Sequence, residues 1–240
     1  MMRNIYLILL SVLILSACKT DPMAGLEKAF ADNPSKSTAS DLLIAYQQKL
    51  INPVANQNEG EVLGAIQKII TSNSAYLDVA TLSSKLGSAA VGIDSSLARL
   101  SEQFFTKDGK QQINTEAIAN YQSAAEIRAM ILPDEASVKK LLSAGEAART
   151  MKNFPKAISY FDMIIQKFPQ MKGASQALFL KAFTMDNDLK QYDRAKGIYE
   201  MFLQKYPQDG FADDVQFLLE NLGATNEEII QKFDKVDTKK

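Results

Sequence analysis

The chain has 240 residues, with 27 Lys and Arg against 28 Asp and Glu, and it contains one Cys, no His and no Trp. Without His, neither a Ser-His-Asp triad nor a His-ligated zinc or haem site can form. A single Cys excludes an intramolecular disulfide. The net charge of −1 disfavours nucleic-acid binding, which usually needs a basic surface. Gly and Pro are scarce, with 11 and 7 residues, so the composition favours helices.

The N-terminal segment has the layout of a cleaved secretory signal peptide. Arg3 supplies a short basic start, and residues 5–15 form an apolar run with two polar exceptions. This run is too short for a spanning helix of about 20 residues, and it has the length of the apolar part of a signal peptide. We therefore predict a signal peptide over residues 1–17.

The end of this segment, Leu15-Ser16-Ala17-Cys18, resembles the lipobox of bacterial lipoproteins. In that family the chain is cut before the Cys, which carries diacylglycerol and palmitate. The resemblance implies lipidation at Cys18 and a lipidated tether over residues 18–25. Lys19 follows, where an Asp would imply retention at the inner membrane, so the resemblance implies an outer-membrane anchor. The protein then faces either the periplasm, which is favoured, or the outside of the cell. The alternative is an ordinary secretory peptide that has a Cys here by chance.

Residues 26–132 form a predicted helical region, because apolar residues recur there at helical spacing and no alternating run predicts a strand. The predicted helices cover residues 42–51, 62–70, 76–86, 95–105 and 115–131. Ser40 or Asp41 is the N-cap candidate for the first, and Asn114 or Thr115 for the last. Residues 87–94 are predicted as a loop or frayed end, and residues 106–110 as a turn. Pro133 ends the last of these helices, so we place a domain boundary between residues 132 and 133.

Two stretches beyond this boundary, residues 143–170 and 180–208, align with each other. Ala157 matches Ala195, Phe161 matches Tyr199, and Pro169 matches Pro207, with the same offset along the chain in every pair. Small residues at a helix crossing allow a close approach, and an aromatic residue one turn later can fill the space beside it. A constant offset over several positions predicts a repeated helix pair.

These residues resemble the tetratricopeptide repeat (TPR), a helix–turn–helix unit. The resemblance assigns the repeat signature to Gly145, Ala157, Phe161, Pro169, Ala182, Ala195, Tyr199 and Pro207. The second repeat is looser, because Ala182 replaces Gly and the turn between its helices is one residue longer. The fold implied is an all-α, TPR-like α-solenoid, with two repeats and capping helices over 133–240 and degenerate repeats over 26–132.

The repeats are followed by two predicted helices. The first covers residues 211–219 and is closed by Asn221-Leu222-Gly223, with Gly223 at the C′ position. The second starts with a capping box of Thr225 and Glu228. Its inward face is predicted to comprise Ile229, Ile230, Phe233 and Val236.

TPR proteins often bind peptides on the face formed by helix A of each repeat. The resemblance places a possible partner groove at Leu142, Glu146, Arg149, Gln176, Phe179, Phe183 and Asp186. The alternative is that Phe179 and Phe183 are core residues beneath the next repeat. Two acid pairs are better explained by their local structure than by acid–base catalysis or cation binding. Asp186 and Asp188 lie in a predicted turn, and Asp213 and Asp214 lie at a predicted helix start.

The resemblance extends to TPR lipoproteins of the bacterial envelope, such as the TPR subunit of the outer-membrane β-barrel assembly machine and the TPR domain of the periplasmic cell-division coordinator. It implies a membrane-anchored scaffold for protein–protein interaction, with envelope proteins as partners and a possible role in outer-membrane protein assembly. The alternatives are a cell-wall or division coordinator and, less favoured, a solute-binding lipoprotein or enzyme. We expect no catalysis, cofactor, metal, nucleic acid or small-molecule substrate.

Overall fold

The structure, a computed structural model, describes residues 21–54, 57–72, 74–105, 112–225 and 227–228. These residues form eleven α-helices, a 3₁₀ turn and a π-helical segment; their only β-type pairing is an isolated bridge between Phe105 and Ile113. This confirms the predicted all-α fold class. The chain divides into two compact units, Met1–Ser96 and Leu97–Lys240, called here the N-terminal and C-terminal units.

The N-terminal unit is organised around its second helix. Its elements are α1 (Pro22–Asp32), α2 (Lys36–Ile51), α3 (Glu59–Ser72), a 3₁₀ turn (Ser74–Tyr76), α4 (Val79–Leu86) and the first part of α5 (Val91–Ser101). Helices α1, α3 and α4 all pack on α2. The fully buried residues of this core include Leu43, Leu50, Leu63, Ile66 and Leu82. The division between the units falls inside α5.

The sequence analysis predicted no separate helix at α1 and placed the start of α2 too late. Helix α1 starts at Pro22 after the N-cap Asp21, and Met23 is buried, so part of the predicted tether belongs to the fold. Helix α2 starts at Lys36 rather than after Ser40 or Asp41. Ser35 and Thr38 form a capping box one turn upstream, which supplies partners for free backbone N–H groups at the helix start.

The predicted helix over 76–86 is shorter, since the 3₁₀ turn comes before α4. The Asp78 side chain caps α4 by accepting a hydrogen bond from the Thr81 N–H (3.0 Å), and Gly87 ends it in the left-handed region, with φ of 82°. The predicted loop over 87–94 was wrong from Val91 onward, because α5 begins there. The helix predicted for 95–105 ends at Ser101, which leaves Phe104 and Phe105 outside it.

A close approach to α2 explains why α5 begins so early. The Gln47 side chain is fully buried; its amide donates a hydrogen bond to the Ala89 carbonyl (2.6 Å) and accepts one from the Gly92 N–H (3.1 Å). A Cβ at Gly92 would lie 2.4 Å from the Gln47 carbonyl oxygen. This start is therefore fixed by a tertiary contact that glycine alone permits.

The C-terminal unit is a stack of helices that follow one another along the chain. They are α6 (Thr115–Ile131), α7 (Glu135–Thr150), α8 (Phe154–Lys167), α9 (Gly173–Phe183) with a π-helical extension (Thr184–Asp188), α10 (Tyr192–Lys205) and α11 (Ala212–Glu220). Each helix packs on the next, and α7 also packs on α9. This nearest-neighbour packing is typical of an α-solenoid.

The turn at Pro133 lies within the C-terminal unit, whereas the sequence placed a domain boundary there. Asn114 caps α6, as one of the two predicted candidates, and α6 packs directly on α7. The buried Arg128 guanidinium of α6 donates hydrogen bonds to Asp134 and Ser137, both at 2.6 Å. Pro133 therefore ends a helix without ending a packed unit.

At the end of the described chain the capping box was predicted correctly, but the position of Gly223 was predicted wrongly. Gly223 has φ of 74°, two residues after the C-cap Asn221 and not at C′ itself. The Thr225 N–H donates to Glu228 (2.8 Å) and the Glu228 N–H donates to the Thr225 hydroxyl (3.2 Å), so the predicted capping box is present. Four groups of predictions lie outside the described residues: the signal peptide, Cys18, the turn at 106–110, and Ile229, Ile230, Phe233 and Val236.

Candidate functional site

In the first repeat, α7 is helix A and α8 is helix B, and they meet at Gly145. A Cβ at Gly145 would lie 2.6 Å from Cε1 of Phe161, whose ring is fully buried. Ala157 is also fully buried. Helix α8 ends at Lys167, two residues before Pro169. The signature residues of this repeat thus occupy the helix crossing and the helix end that the sequence indicated.

In the second repeat, α9 is helix A and α10 is helix B, and their signature residues lie in one apolar cluster. Ala182, Ala195 and Tyr199 are fully buried. The other buried members of the cluster are Leu178, Met185, Phe202 and Val215. Helix α10 ends at Lys205, two residues before Pro207. Because Val215 belongs to α11, this cluster joins the second repeat to the helix that follows.

The longer turn predicted for the second repeat is accommodated by the π-helical segment. The Leu189 N–H donates to the Thr184 carbonyl at 3.0 Å, five residues back, which absorbs one extra residue per turn. Both turns between helices A and B then contain a lysine with positive φ: 58° at Lys152 and 55° at Lys190. The offset between these lysines equals that between the paired signature residues, so the turns are equivalent in the two repeats.

The predicted groove residues differ in their exposure. Glu146 is exposed and Gln176 is half-buried, but Leu142 is buried. Its Cδ1 would lie 3.2 Å from a Cβ at Gly173, the first residue of α9. The prediction of Leu142 as a groove residue was therefore wrong, because it fills the contact between α7 and α9.

Two phenylalanines of α9 and one that precedes α11 form a half-buried stack, called here the aromatic ladder: Phe183, Phe179 and Phe211. The ring centroids are 5.9 Å apart for Phe179 and Phe183, and 4.9 Å apart for Phe179 and Phe211, with interplanar angles of 24° and 8°. Phe179 and Phe211 pack against the apolar cluster and still retain exposed surface. The core and groove alternatives for Phe179 therefore both hold in part. Phe211 was predicted as a helix residue, but its stacking on Phe179 was not.

Arg149 connects the two repeats. Its Nε donates a hydrogen bond to Asp188 (2.9 Å), a second guanidinium nitrogen lies 2.8 Å from the same carboxylate, and the guanidinium lies 5.1 Å from the Phe183 ring centroid. Both charged side chains are largely buried, 21% and 17% exposed. Arg149 is therefore held in place between the repeats, and Asp188, which the sequence analysis assigned to a turn, determines its position.

Asp186 lines a small pocket at the end of the ladder, called here the end pocket. The pocket has a volume of about 190 Å³, and its lining includes Phe183, Asp186, Asn187, Lys190, Tyr192 and Gly223. Burial raises the pKa of the Asp186 carboxyl above its usual value, while a hydrogen bond from the Tyr199 hydroxyl (3.3 Å) and the charge of Lys190 act against this. The carboxylate is thus partly desolvated at the pocket surface.

The N-terminal unit contains a larger cavity, of about 470 Å³, that the sequence analysis did not predict. Its lining includes Glu27, Phe30, Leu42, Tyr46, Lys68 and Ile69, from α1, α2 and α3. The Tyr46 hydroxyl donates a hydrogen bond to Glu27 (2.5 Å) at its edge. Polar and apolar groups are mixed in this cavity, and its residues do not follow the repeat pattern.

Two negative findings apply to the described ranges only. None of their helices combines the length and the hydropathy needed to cross a membrane. Within the same ranges, no three Asp, Glu, Cys or His side chains are gathered in a way that could hold a metal ion.

Residues 141–170 and 176–209 match the tetratricopeptide repeat family model. No curated protein and no solved structure matches the chain. The first matched segment covers most of the helix pair α7–α8 and the second covers most of α9–α10, so the chain contains TPRs. Repeats of this class typically provide non-catalytic surfaces for protein–protein interaction, and the fold of the C-terminal unit agrees with that role.

Proposed function

We propose that this protein is a lipid-anchored scaffold that binds a partner protein of the bacterial envelope through the helix A face of its repeats. The observation that carries the proposal is the aromatic ladder, which joins two rings of α9 to Phe211 and retains exposed ring surface beside Arg149. Aromatic and Arg side chains are the residue types that most often dominate binding energy at interfaces. Exposed Glu146 and half-buried Gln176 would supply polar contacts at the edge.

The cellular setting of the proposal depends on the N-terminal sequence. Residues 1–17 with Cys18 support a cleaved signal and a lipid anchor, and Lys19 supports the outer membrane. The periplasm is the side that we favour. The resemblance favours a role in outer-membrane protein assembly, and cell-wall or division coordination is the alternative. Two or more acyl chains anchor a protein stably, since each buried CH₂ contributes about 0.8 kcal/mol.

The partner-binding face can be tested by site-specific cross-linking in cells. A photo-crosslinking amino acid is placed at Glu146 or Gln176 on the helix A face, and at Gln166 or Gln204, which are exposed on helices α8 and α10, as matched controls. We expect discrete cross-linked envelope proteins from the first pair alone. Equal products from both pairs, or none from either, would refute the proposed face.

The anchor is tested separately by labelling cells with radioactive palmitate. The native chain should incorporate label and fractionate with the outer membrane, whereas a Cys18→Ser variant should lose both properties. Label that persists in the variant would show that Cys18 is not the attachment site. If label is lost while fractionation is unchanged, the membrane association has another cause.

A further inference from the structure

Two carboxylates near the end of α9 lie in contrasting environments. Asp188 is paired with Arg149, whose guanidinium also lies against the Phe183 ring. Asp186, two residues earlier, accepts a hydrogen bond from the Tyr199 hydroxyl through Oδ2. Among the described residues, no Lys or Arg side chain forms an ion pair with it. Asp188 is thus satisfied by a cation that lies on an aromatic ring, whereas Asp186 has the charge of Lys190 nearby but no ion pair within the described residues.

The end pocket has the size and the lining for a single cationic side chain. Its volume of about 190 Å³ is below the range of roughly 300–1,000 Å³ for small-molecule sites. Its walls include the aromatic residues Phe183 and Tyr192, and its acidic residue is Asp186. An aromatic face and a carboxylate both attract an ammonium or guanidinium group, and partial desolvation strengthens that attraction.

We propose that the end pocket binds a Lys or Arg side chain of the partner protein, with the Asp186 carboxylate as the charge partner. This inference rests on the proposed function and names the chemistry of the partner segment. Arg149, Asp188 and Phe183 already show the same combination of cation, carboxylate and ring within the chain.

The position of the pocket relative to the ladder also restricts the partner. A helix rises about 1.5 Å per residue, so the seven residues from Phe179 to Asp186 correspond to about 10 Å. The partner segment therefore presents an apolar residue to Phe179 of the ladder and, about 10 Å away, a basic residue to the pocket.

The proposal can be tested with a minimal probe, N-acetyl-lysine amide, added to the full chain in detergent while ¹⁵N–¹H spectra are recorded. N-acetyl-norleucine amide, which has a side chain of similar length without the charge, is the control. We expect the lysine probe alone to shift the backbone amides of Asn187, Gly223 and Ala224, which line the pocket. An equal shift by norleucine, or no shift by either probe, overturns the proposal.

Two variants test the charge partner. Asp186→Asn keeps an acceptor for the Tyr199 hydroxyl and removes the charge, so we expect about fivefold weaker binding of the lysine probe, as for a partly exposed ion pair. Asp214→Asn removes an exposed acid of α11 that does not line the pocket and should leave binding unchanged. Equal effects of the two variants would show that the charge partner is not Asp186.

The occupant could also come from this chain, and two further variants decide this. Lys190→Met removes the cation that lines the pocket, and a second variant replaces the four lysines of residues 229–240 with Gln. Probe binding by the native chain supports a cation from the partner. If a variant binds the probe and the native chain does not, the replaced lysines occupy the pocket and the proposal is overturned. If the probe fails while cross-linking at Glu146 and Gln176 persists, the proposed function stands without the pocket.

Discussion

The two units each bring a pair of helices together at a glycine, but the group that faces the glycine differs. In the N-terminal unit Gly92 faces the backbone of Gln47, whereas in the C-terminal unit Gly145 faces the ring of Phe161. A ring contact needs a small residue and an aromatic residue at fixed spacing, and it can recur along the chain. A backbone contact leaves no such pattern, which explains why the family match is confined to residues 141–209.

A second feature is shared by the units. Tyr46-Gln47 in α2 and Tyr121-Gln122 in α6 each place a buried glutamine against a helix rich in small residues. The Gln47 amide donates to the Ala89 carbonyl (2.6 Å), and the Gln122 amide donates to the Ala144 carbonyl (3.1 Å). Buried amides need such partners, so both units use polar contacts to fix neighbouring segments.

The largest effect is expected from Gly92→Ala. Its new methyl group would lie 2.4 Å from the Gln47 carbonyl oxygen, and since backbone cannot move aside locally, α5 must separate from α2. We expect a loss of about 3 kcal/mol in the free energy of unfolding, at the upper end for overpacking, measured by urea unfolding. The matched control is Gly64→Ala, where nothing lies within 4 Å and a gain of about 0.5–1 kcal/mol is expected. Similar values for both would disprove the contact.

Gly145→Ala should cost less, because its methyl group meets a ring. The Phe161 ring is fully buried and can shift slightly, so we expect a loss of about 2 kcal/mol. The control Gly197→Ala has open space around it. In a double-mutant cycle, Phe161→Leu should relieve part of the Gly145→Ala penalty, since the smaller side chain makes room for the methyl group. If the double variant loses as much unfolding free energy as the two single variants together, these two residues do not interact.

Acid should affect the C-terminal unit through Asp134. Burial would raise the pKa of this carboxyl, but hydrogen bonds from Arg128 and the Ser137 N–H hold it below its usual value. Its stabilisation is therefore present above the unfolded pKa of about 3.9 and is lost as the pH falls through the lower folded pKa. Because the side chain is half-exposed, the effect is below about 1 kcal/mol. Asp134→Asn should flatten the pH dependence of the melting temperature between pH 5 and about 2; an unchanged slope would contradict this.

Effects of similarly small size are expected at the helix ends, where the units again differ. Gly87 adopts a left-handed conformation in the N-terminal unit, and Lys152 does so in the C-terminal unit. Left-handed backbone costs residues other than glycine about 1 kcal/mol. Lys152→Gly should therefore raise the free energy of unfolding by up to about 1 kcal/mol, and Gly87→Lys should lower it by a similar amount. Both variants are compared with the native chain by thermal unfolding. If both raise or both lower the stability, backbone conformation does not control these helix ends.

The helix positions predicted from the sequence were most accurate where local signals suffice. Asn114 caps α6, Pro169 follows the end of α8, and the capping box of Thr225 and Glu228 forms. Caps and proline act within one helical turn, so their effect can be seen in a short stretch of sequence. The start of α5 could not be predicted in this way, because it depends on Gln47, which belongs to a different helix far back along the chain.

The candidate site was predicted in part. Glu146, Phe179 and Phe183 lie on the helix A face with exposed surface, whereas Leu142 is buried beneath α9. Phe211 and Asp188 were missed, since their importance comes from stacking on Phe179 and pairing with Arg149. Helical periodicity identifies which residues share a face, but the partner of each side chain depends on the neighbouring helix.

The sequence by itself determined the all-α fold class and the two TPRs, because small residues, aromatics and prolines at constant spacing act through local geometry. The tertiary structure decided the limits of the units, the start of α5, the aromatic ladder and the end pocket. These features depend on contacts between segments far apart in the chain, such as Gly92 with Gln47 and Arg149 with Asp188. Such contacts exist only after the helices have packed, and no local pattern encodes them.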